Sequence, residues 1–151
     1  MPESATLDRF DRALLAAVQA DNLTPARILA ERVGLSESAV LRRLRRLRQE
    51  GIIVADVALV HPAILGTPLC LHVLVSLERE TSDRLDAFVR RLRERAEVRA
   101  AWYVTGEADF VLELRLRDMA EYEAFTRTVF HDDPNVRAFR TLVAMRQVIG
   151  V

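Results

Sequence analysis

The sequence predicts an α+β protein of two modules, a run of short helices followed by a β-α-β-β-α-β sheet unit. Three observations predict it. Apolar residues recur at helical spacing up to about residue 50. Beyond residue 69 the spacing changes to the strict alternation of half-buried strands. Between the two lies one stretch with linker chemistry, His61-Pro62 through Gly66-Thr67-Pro68. The expected division is therefore residues 1–60, a linker at 61–68, and residues 69–151.

In the first module, Leu7, Phe10, Leu14, Leu15 and Val18 mark an amphipathic helix near residues 7–20, ended by Asp21-Asn22. Thr24 is placed to cap a second helix, with Pro25 at its first position, where a missing N–H costs nothing. That helix buries Ile28, Leu29 and Val33, and Gly34 supplies a positive-φ turn. Ser36 caps a third helix, whose core side is Val40, Leu44 and Leu47. At about 100° per residue its opposite face is Ser38, Arg42, Arg45, Arg46 and Gln49, with Arg43 and Arg48 flanking the buried stripe. Gly51 stops the helix, and Ile52 to Val60 reads as a short hairpin or extended wing.

In the second module, Leu69, Leu71, Val73, Val75 and Leu77 alternate with Cys70, His72 and Ser76 as a first strand. Leu85, Phe88, Val89, Leu92 and Ala96 fit one face of a helix. Val98, Ala100, Trp102 and Val104 form a second strand, Gly106-Glu107-Ala108 a turn, and Phe110, Leu112, Leu114 and Leu116 a third strand. Asp118 with Glu121 resembles a capping box, and Tyr122, Phe125 and Val129 continue the helix it starts. Val136 to Val148 is the fourth strand. This order is the ferredoxin-like plan, which leaves one sheet face without helices. Trp102, Tyr103, Val111, Phe139, Val143 and Met145 supply candidates for that face, and an uncovered apolar sheet argues for self-association.

Bulk composition narrows the function. Of 151 residues 50% are apolar and 29% charged, the balance of a packed chain rather than a disordered one. The lone Cys70 forbids an internal disulfide, and His61, His72 and His131 are too scattered for a metal-ligand spacing. No metal or cofactor is expected, since no nucleophile elbow, Walker loop or Rossmann glycine pattern occurs. No apolar stretch approaches a membrane span, and Met1-Pro2-Glu3-Ser4 is not a signal peptide, so a cytoplasmic protein is expected. All 22 basic residues are Arg and the formal net charge is +0. Charge is concentrated locally, however: from Ser36 to Glu50 five Arg stand against two Glu, a local excess of three. A cationic helix that follows a glycine turn after another helix fits the major groove of double-stranded DNA. Ser38 and Arg42 then lie nearest the base edges, Arg43, Arg45 and Arg46 face phosphates, and the capping Ser36 completes the expected DNA-binding set.

With both modules placed, the chain resembles the Lrp/AsnC, or feast/famine, family of regulators. The residues that carry the likeness are Leu7-Asp8-Arg9-Phe10-Asp11, Val33-Gly34-Leu35-Ser36, Val40-Leu41-Arg42-Arg43-Leu44-Arg45-Arg46-Leu47 and Gly51-Ile52-Ile53 in the first module. In the second they are Val104-Thr105-Gly106-Glu107-Ala108-Asp109-Phe110, Asp118-Met119, Tyr122 and Thr141-Leu142-Val143. The resemblance implies a winged helix-turn-helix joined to a ferredoxin-like domain of the RAM type that dimerises through its sheet. It further implies assembly of dimers into octamers or related forms, and an amino-acid effector bound at contacts between dimers. The effector residues it implies are Thr105, Gly106, Glu107, Ala108, Asp109 and Thr141. Within that loop, Gly106 would free backbone N–H groups for a carboxylate, and Asp109 or Glu107 would hold an α-ammonium. The chain departs from the family pattern at Phe139, where Thr is frequent, and at His131-Asp132-Asp133-Pro134-Asn135-Val136, which replaces Leu-Pro-Gly-Val. The expected function is a sequence-specific DNA-binding regulator, not an enzyme. Two alternatives share the plan: a sirohaem-type tetrapyrrole decarboxylase, and an effector-independent nucleoid-organising protein. For the decarboxylase, the third strand, Phe110 to Arg117, lacks the extra basic and His residues that would grip tetrapyrrole carboxylates.

Overall fold

The structure, a computed structural model, describes residues 6–149. The chain divides into two compact units, one ending at Ala58 and the other beginning at Leu59.

The first unit holds three helices, α1 (Arg9–Ala20), α2 (Ala26–Val33) and α3 (Glu37–Gln49). Asp8 caps α1: its carboxylate accepts from the Asp11 N–H at 2.8 Å while the Asp11 carboxylate accepts from the Asp8 N–H at 3.3 Å. This is a capping box with aspartate in the third position. The expected Thr24 cap is not formed. Pro25 occupies the N-cap of α2, and the Thr24 hydroxyl donates to the Asp21 carboxylate at 3.0 Å instead. Gly34 ends α2 at φ 72°, ψ 39°, the left-handed region where a Cβ is penalised. Ser36 caps α3 by accepting the Ala39 N–H. Leu14, Leu29, Ala30, Val40, Leu44 and Leu47 make the core, with Leu7, Leu15, Val18, Val33, Ile52 and Ile53 among the side chains packed on it. Of the two forms expected for Ile52 to Val60, a hairpin or an extended wing, the hairpin is not formed: that segment contains no strand. Its first two residues donate to the Leu47 carbonyl at 2.9 and 3.0 Å, and Arg48 then grips Asp56 at 2.7 Å.

The second unit follows the predicted order: β1 (Leu69–Leu77), α4 (Ser82–Arg93), β2 (Val98–Tyr103), β3 (Phe110–Leu116), α5 (Met119–Thr126) and β4 (Val136–Val143). α5 runs on as a π-helical turn, Arg127–His131. The four strands are antiparallel in the order β2-β3-β1-β4. β4 stops at Val143, five residues short of the predicted end. The core lies on the helix side, where Leu71, Val73, Val75, Leu77, Phe110, Leu112, Leu114 and Leu116 meet Phe88, Leu92, Tyr122, Phe125, Val129 and Phe130.

Register identifies the uncovered face. Trp102 pairs with Val111, Val111 with Leu74, and Leu74 with Arg140, so these four side chains form one row. Ala100, Glu113, His72 and Leu142 form the next. Trp102 and Val111 lie there as the sequence predicts. Tyr103, Phe139 and Val143, also expected there, do not: they pair with Phe110, Val75 and Leu71, which are core residues of the helix side. A β-bulge at Val98/Ala100 shifts the alternation in β2, and Phe139 stacks 4.6 Å from the Phe130 ring. Met145 lies beyond β4 and is exposed.

The segment that departs from the family pattern has a structural role. Asn135 is 7% exposed. Its amide oxygen accepts from the Arg79 N–H at 3.1 Å, its amide nitrogen donates to the Arg79 carbonyl at 3.0 Å, and its own carbonyl accepts from the Glu78 N–H at 2.7 Å. One residue thus joins the start of β4 to the end of β1. Asn135→Ala is expected to cost about 1–3 kcal/mol in thermal unfolding, because two backbone groups at a half-buried site lose their partner.

Candidate functional site

Each unit carries one candidate site. On α3 the five arginines separate by helical phase. Ser38, Arg42, Arg45 and Gln49 are spaced by four, three and four residues, so they form one exposed stripe. Arg43 and Arg46 are three apart on a neighbouring stripe that faces α1. Arg43 Nη1 donates to Asp8 Oδ2 at 2.7 Å and to Asp11 Oδ1 at 2.8 Å, and Arg46 Nη2 donates to Asp11 Oδ2 at 2.6 Å. The Arg43 guanidinium also lies 5.5 Å from the centre of the Phe10 ring. Arg48 makes a two-pronged contact with Asp56, at 2.7 and 3.1 Å. Among the described residues, the side chains of Arg42 and Arg45 make no ion pair.

The Asp11 carboxylate is 1% exposed, yet it is charged. Burial pushes its pKa up, and hydrogen bonds from Arg43, Arg46 and the Asp8 N–H outweigh that, leaving it below the ordinary aspartate value. Asp8 is also held below its usual value, chiefly by the Asp11 N–H and then by Arg43. Arg43 is raised by the same contacts, Asp11 first and Asp8 second. Sequence reasoning assigns Arg43 and Arg46 to DNA phosphates together with Arg45, whereas the structure engages both with Asp11. It misses Asp8 and Asp11 as their partners, and Asp56 as the partner of Arg48. A sequence separation of 32 to 35 residues carries no local signal of an ion pair.

In the second unit the predicted effector loop is a β-hairpin turn between β2 and β3. Gly106 sits at φ 138°, a conformation that side chains disfavour. Val104 and Asp109 close the turn by an N–H to carbonyl bond of 2.9 Å. Asp109, expected to hold a ligand ammonium, is occupied within the fold. Its Oδ2 accepts from the Leu77 N–H at 2.6 Å and so ties the loop to β1. The Glu107 carbonyl accepts from the Ser76 hydroxyl at 3.3 Å, while the Glu107 carboxylate is exposed and stands 3.7 Å from Arg140 Nη2 on β4. Thr105 and Gly106 are exposed and Ala108 is buried. Thr141 is not part of this cluster. It pairs with Val73 on the helix side, where its hydroxyl meets the Tyr122 phenol. Arg140 is the residue that sequence reasoning misses. Only the register, which puts β4 two strands from the loop, makes it visible.

Comparison with known proteins follows the same division. Residues 7–54 match the family pattern described as winged helix-turn-helix DNA-binding, and residues 70–150 match the one described as Lrp/AsnC ligand binding domain. A helix-turn-helix transcriptional regulator of Sinorhizobium fredii is 48% identical over 142 residues, covering 94% of this chain and 84% of the relative. The leucine-responsive regulatory protein of Rhizobium meliloti is 35% identical over 142 residues, covering 94% of this chain and 91% of its own. A crystal structure of a Neisseria meningitidis transcriptional regulator in complex with L-methionine superposes with a TM-score of 0.87 at 28% identity, over 96% of this chain and 94% of that one. An AsnC-family regulator from Agrobacterium tumefaciens gives a TM-score of 0.86 at 28% identity, with 95% and 94% coverage. With a capped, arginine-bearing third helix in one unit and a βαββαβ sheet in the other, the chain belongs to the Lrp/AsnC family of DNA-binding transcriptional regulators.

Proposed function

We propose that the protein is a cytoplasmic, sequence-specific transcriptional regulator, not an enzyme, that acts as a homodimer and changes its DNA occupancy on binding an amino acid. The observation that carries the DNA part is the exposed Ser38–Arg42–Arg45–Gln49 stripe, whose cations are not spent on ion pairs within the fold. Ser36, at the N-terminal end of α3, is exposed and lies on the side from which recognition helices approach base edges. Two such helices brought together by dimerisation would read successive major grooves, about 34–36 Å apart. Trp102 and Leu142, about half exposed on the helix-free sheet face, support that face as the dimer contact. Association of dimers into octamers belongs to the same proposal.

For the ligand, the supporting feature is the Glu107–Arg140 pair beside Gly106. Both side chains are largely exposed, so their 3.7 Å contact contributes little to stability. An amino-acid zwitterion offers each member a better partner: its carboxylate to Arg140 and the backbone N–H groups near Gly106, its ammonium to Glu107. Thr105 and Ala108 then shape the loop and Asp109 holds it closed, while Thr141, bonded to Tyr122 on the other sheet face, stands outside the site.

Selection of bound sites from random duplexes, with and without a mixture of the twenty amino acids, tests both parts. A recovered motif whose enrichment changes with the mixture is expected; no motif refutes the DNA reading, and an unchanged enrichment refutes sensing. L-Methionine, the ligand of the Neisseria relative, is the first single probe. If an amino acid is found, Arg140→Ala is expected to weaken it at least about tenfold by calorimetry, the scale of one charge-assisted contact.

A further inference from the structure

We infer that α1 selects which arginines of the recognition helix reach DNA: Asp8 and Asp11 withhold Arg43 and Arg46, and Arg42 and Arg45 are left as the α3 cations that meet it. This deepens the DNA reading above and rests on it. Charge counting points the same way. Residues 1–58 hold nine arginines against eight carboxylates, so the unit as a whole offers almost no field to a polyanion. Affinity for phosphate must come from particular cations held apart from carboxylates. On α3, three of the five fail that test.

The withheld pair differs from an ordinary surface contact. Asp11 is nearly fully buried, and its two oxygens receive one hydrogen bond from each of two guanidinium groups. If either arginine turned to a phosphate, a buried carboxylate would lose a partner it cannot replace with water, and that loss exceeds what an exposed phosphate contact returns. Arg43 is held further by Asp8 and lies beside the Phe10 ring. Arg46 Nε is itself buried without a hydrogen-bond partner. The helix-capping pair is thereby used twice, once for the α1 N-terminus and once to fix the rotation of α3 about its own axis. That rotation aims the Ser38–Arg42–Arg45–Gln49 stripe outward. Asp11 is accordingly a positioning residue for DNA recognition, 32 and 35 residues from the arginines it orients.

The salt dependence of binding to one defined duplex reads this directly, since each phosphate contact contributes about 0.9 to the slope of log affinity against log salt. Arg42→Ala and Arg45→Ala are expected to flatten the slope by about 0.9 for each bound copy. Arg43→Gln and Arg46→Gln, which keep a donor for Asp11, are expected to leave the slope unchanged. Asp11→Asn is expected to steepen it, as a released arginine finds a phosphate. A second measurement needs no substitution. Phenylglyoxal should modify Arg42 and Arg45 in the free protein and spare them in the DNA complex, while Arg43 and Arg46 resist in both. Flattening by Arg43→Gln or Arg46→Gln as large as by Arg42→Ala, or DNA-dependent protection of Arg43 or Arg46, overturns the inference. A parent protein that ignores DNA altogether would instead overturn the reading on which it rests.

Discussion

Asp11→Ala is expected to lower the stability of the N-terminal unit by about 2–3 kcal/mol, read as a shift of its thermal or urea transition, while the C-terminal unit is unaffected. The change removes the one anion that Arg43 and Arg46 share and half of the α1 capping box. Deleting one partner of a buried pair costs about 3–5 kcal/mol when the other charge is left stranded. Here the two guanidinium groups are 24% and 42% exposed, so each recovers part of its hydration by turning outward, which sets the lower figure. The small apolar core, six buried side chains with none larger than leucine, has little margin to absorb such a loss. Asp8→Ala provides the contrast. That carboxylate is 45% exposed, so its removal should cost the cap and a solvent-screened contact with Arg43, less than the loss at Asp11. A loss at Asp11 no larger than at Asp8 would show that the buried network contributes nothing beyond capping.

The same carboxylates set an acid limit. Both Asp8 and Asp11 are depressed below the ordinary aspartate value in the folded unit. A depressed carboxylate binds its proton less readily folded than unfolded, so its contribution is complete above about pH 4, the unfolded value, and is lost as pH falls through the lowered folded values. The N-terminal unit should therefore begin to weaken below about pH 4. Asp11→Asn should flatten that dependence.

How far the chain can be read from its residues follows from the range of the interactions involved. Ser36 as a cap, Gly34 as a left-handed stop and the 40–44–47 buried stripe are all set within a few residues, and each stands in the structure as the sequence predicts. Strand alternation in β1 and β3 is equally local and equally legible. The α2 cap differs from expectation because Thr24 has a nearby competitor, Asp21, for its hydroxyl. The face of β2 differs beyond Ala100 because a bulge reverses the parity of every later residue. The partners of Arg43 and Arg46, and the approach of Arg140 to Glu107, depend on tertiary placement across tens of residues. Helical phase does distinguish 42 and 45 from 43 and 46, but only the position of α1 shows which stripe is covered.

Leu74→Asp is expected to convert the protein to a monomer at micromolar concentration, seen by sedimentation or light scattering, with little change in the melting of the sheet unit. Leu74 sits in the middle of the helix-free face, between Val111 and Arg140, and is not among the core side chains on the helix side. A carboxylate there meets water in a monomer and apolar surface in a face-to-face dimer, so the cost falls on association rather than folding. DNA binding should fall with it. In the proposed dimer, two recognition helices would make the second contact effectively intramolecular, a gain of about 10²–10⁴ that a monomer forfeits. On a duplex with two half-sites the variant should lose at least about a hundredfold in affinity, and on a single half-site it should match the parent. Phe139, which resembles an open-face residue in sequence but packs on Phe130 and His131, supplies the control. Phe139→Ala should lower the melting temperature of the sheet unit while leaving the dimer intact. A Leu74→Asp protein that stays dimeric would move the contact off this face and remove the geometric basis for pairing the two α3 stripes through it.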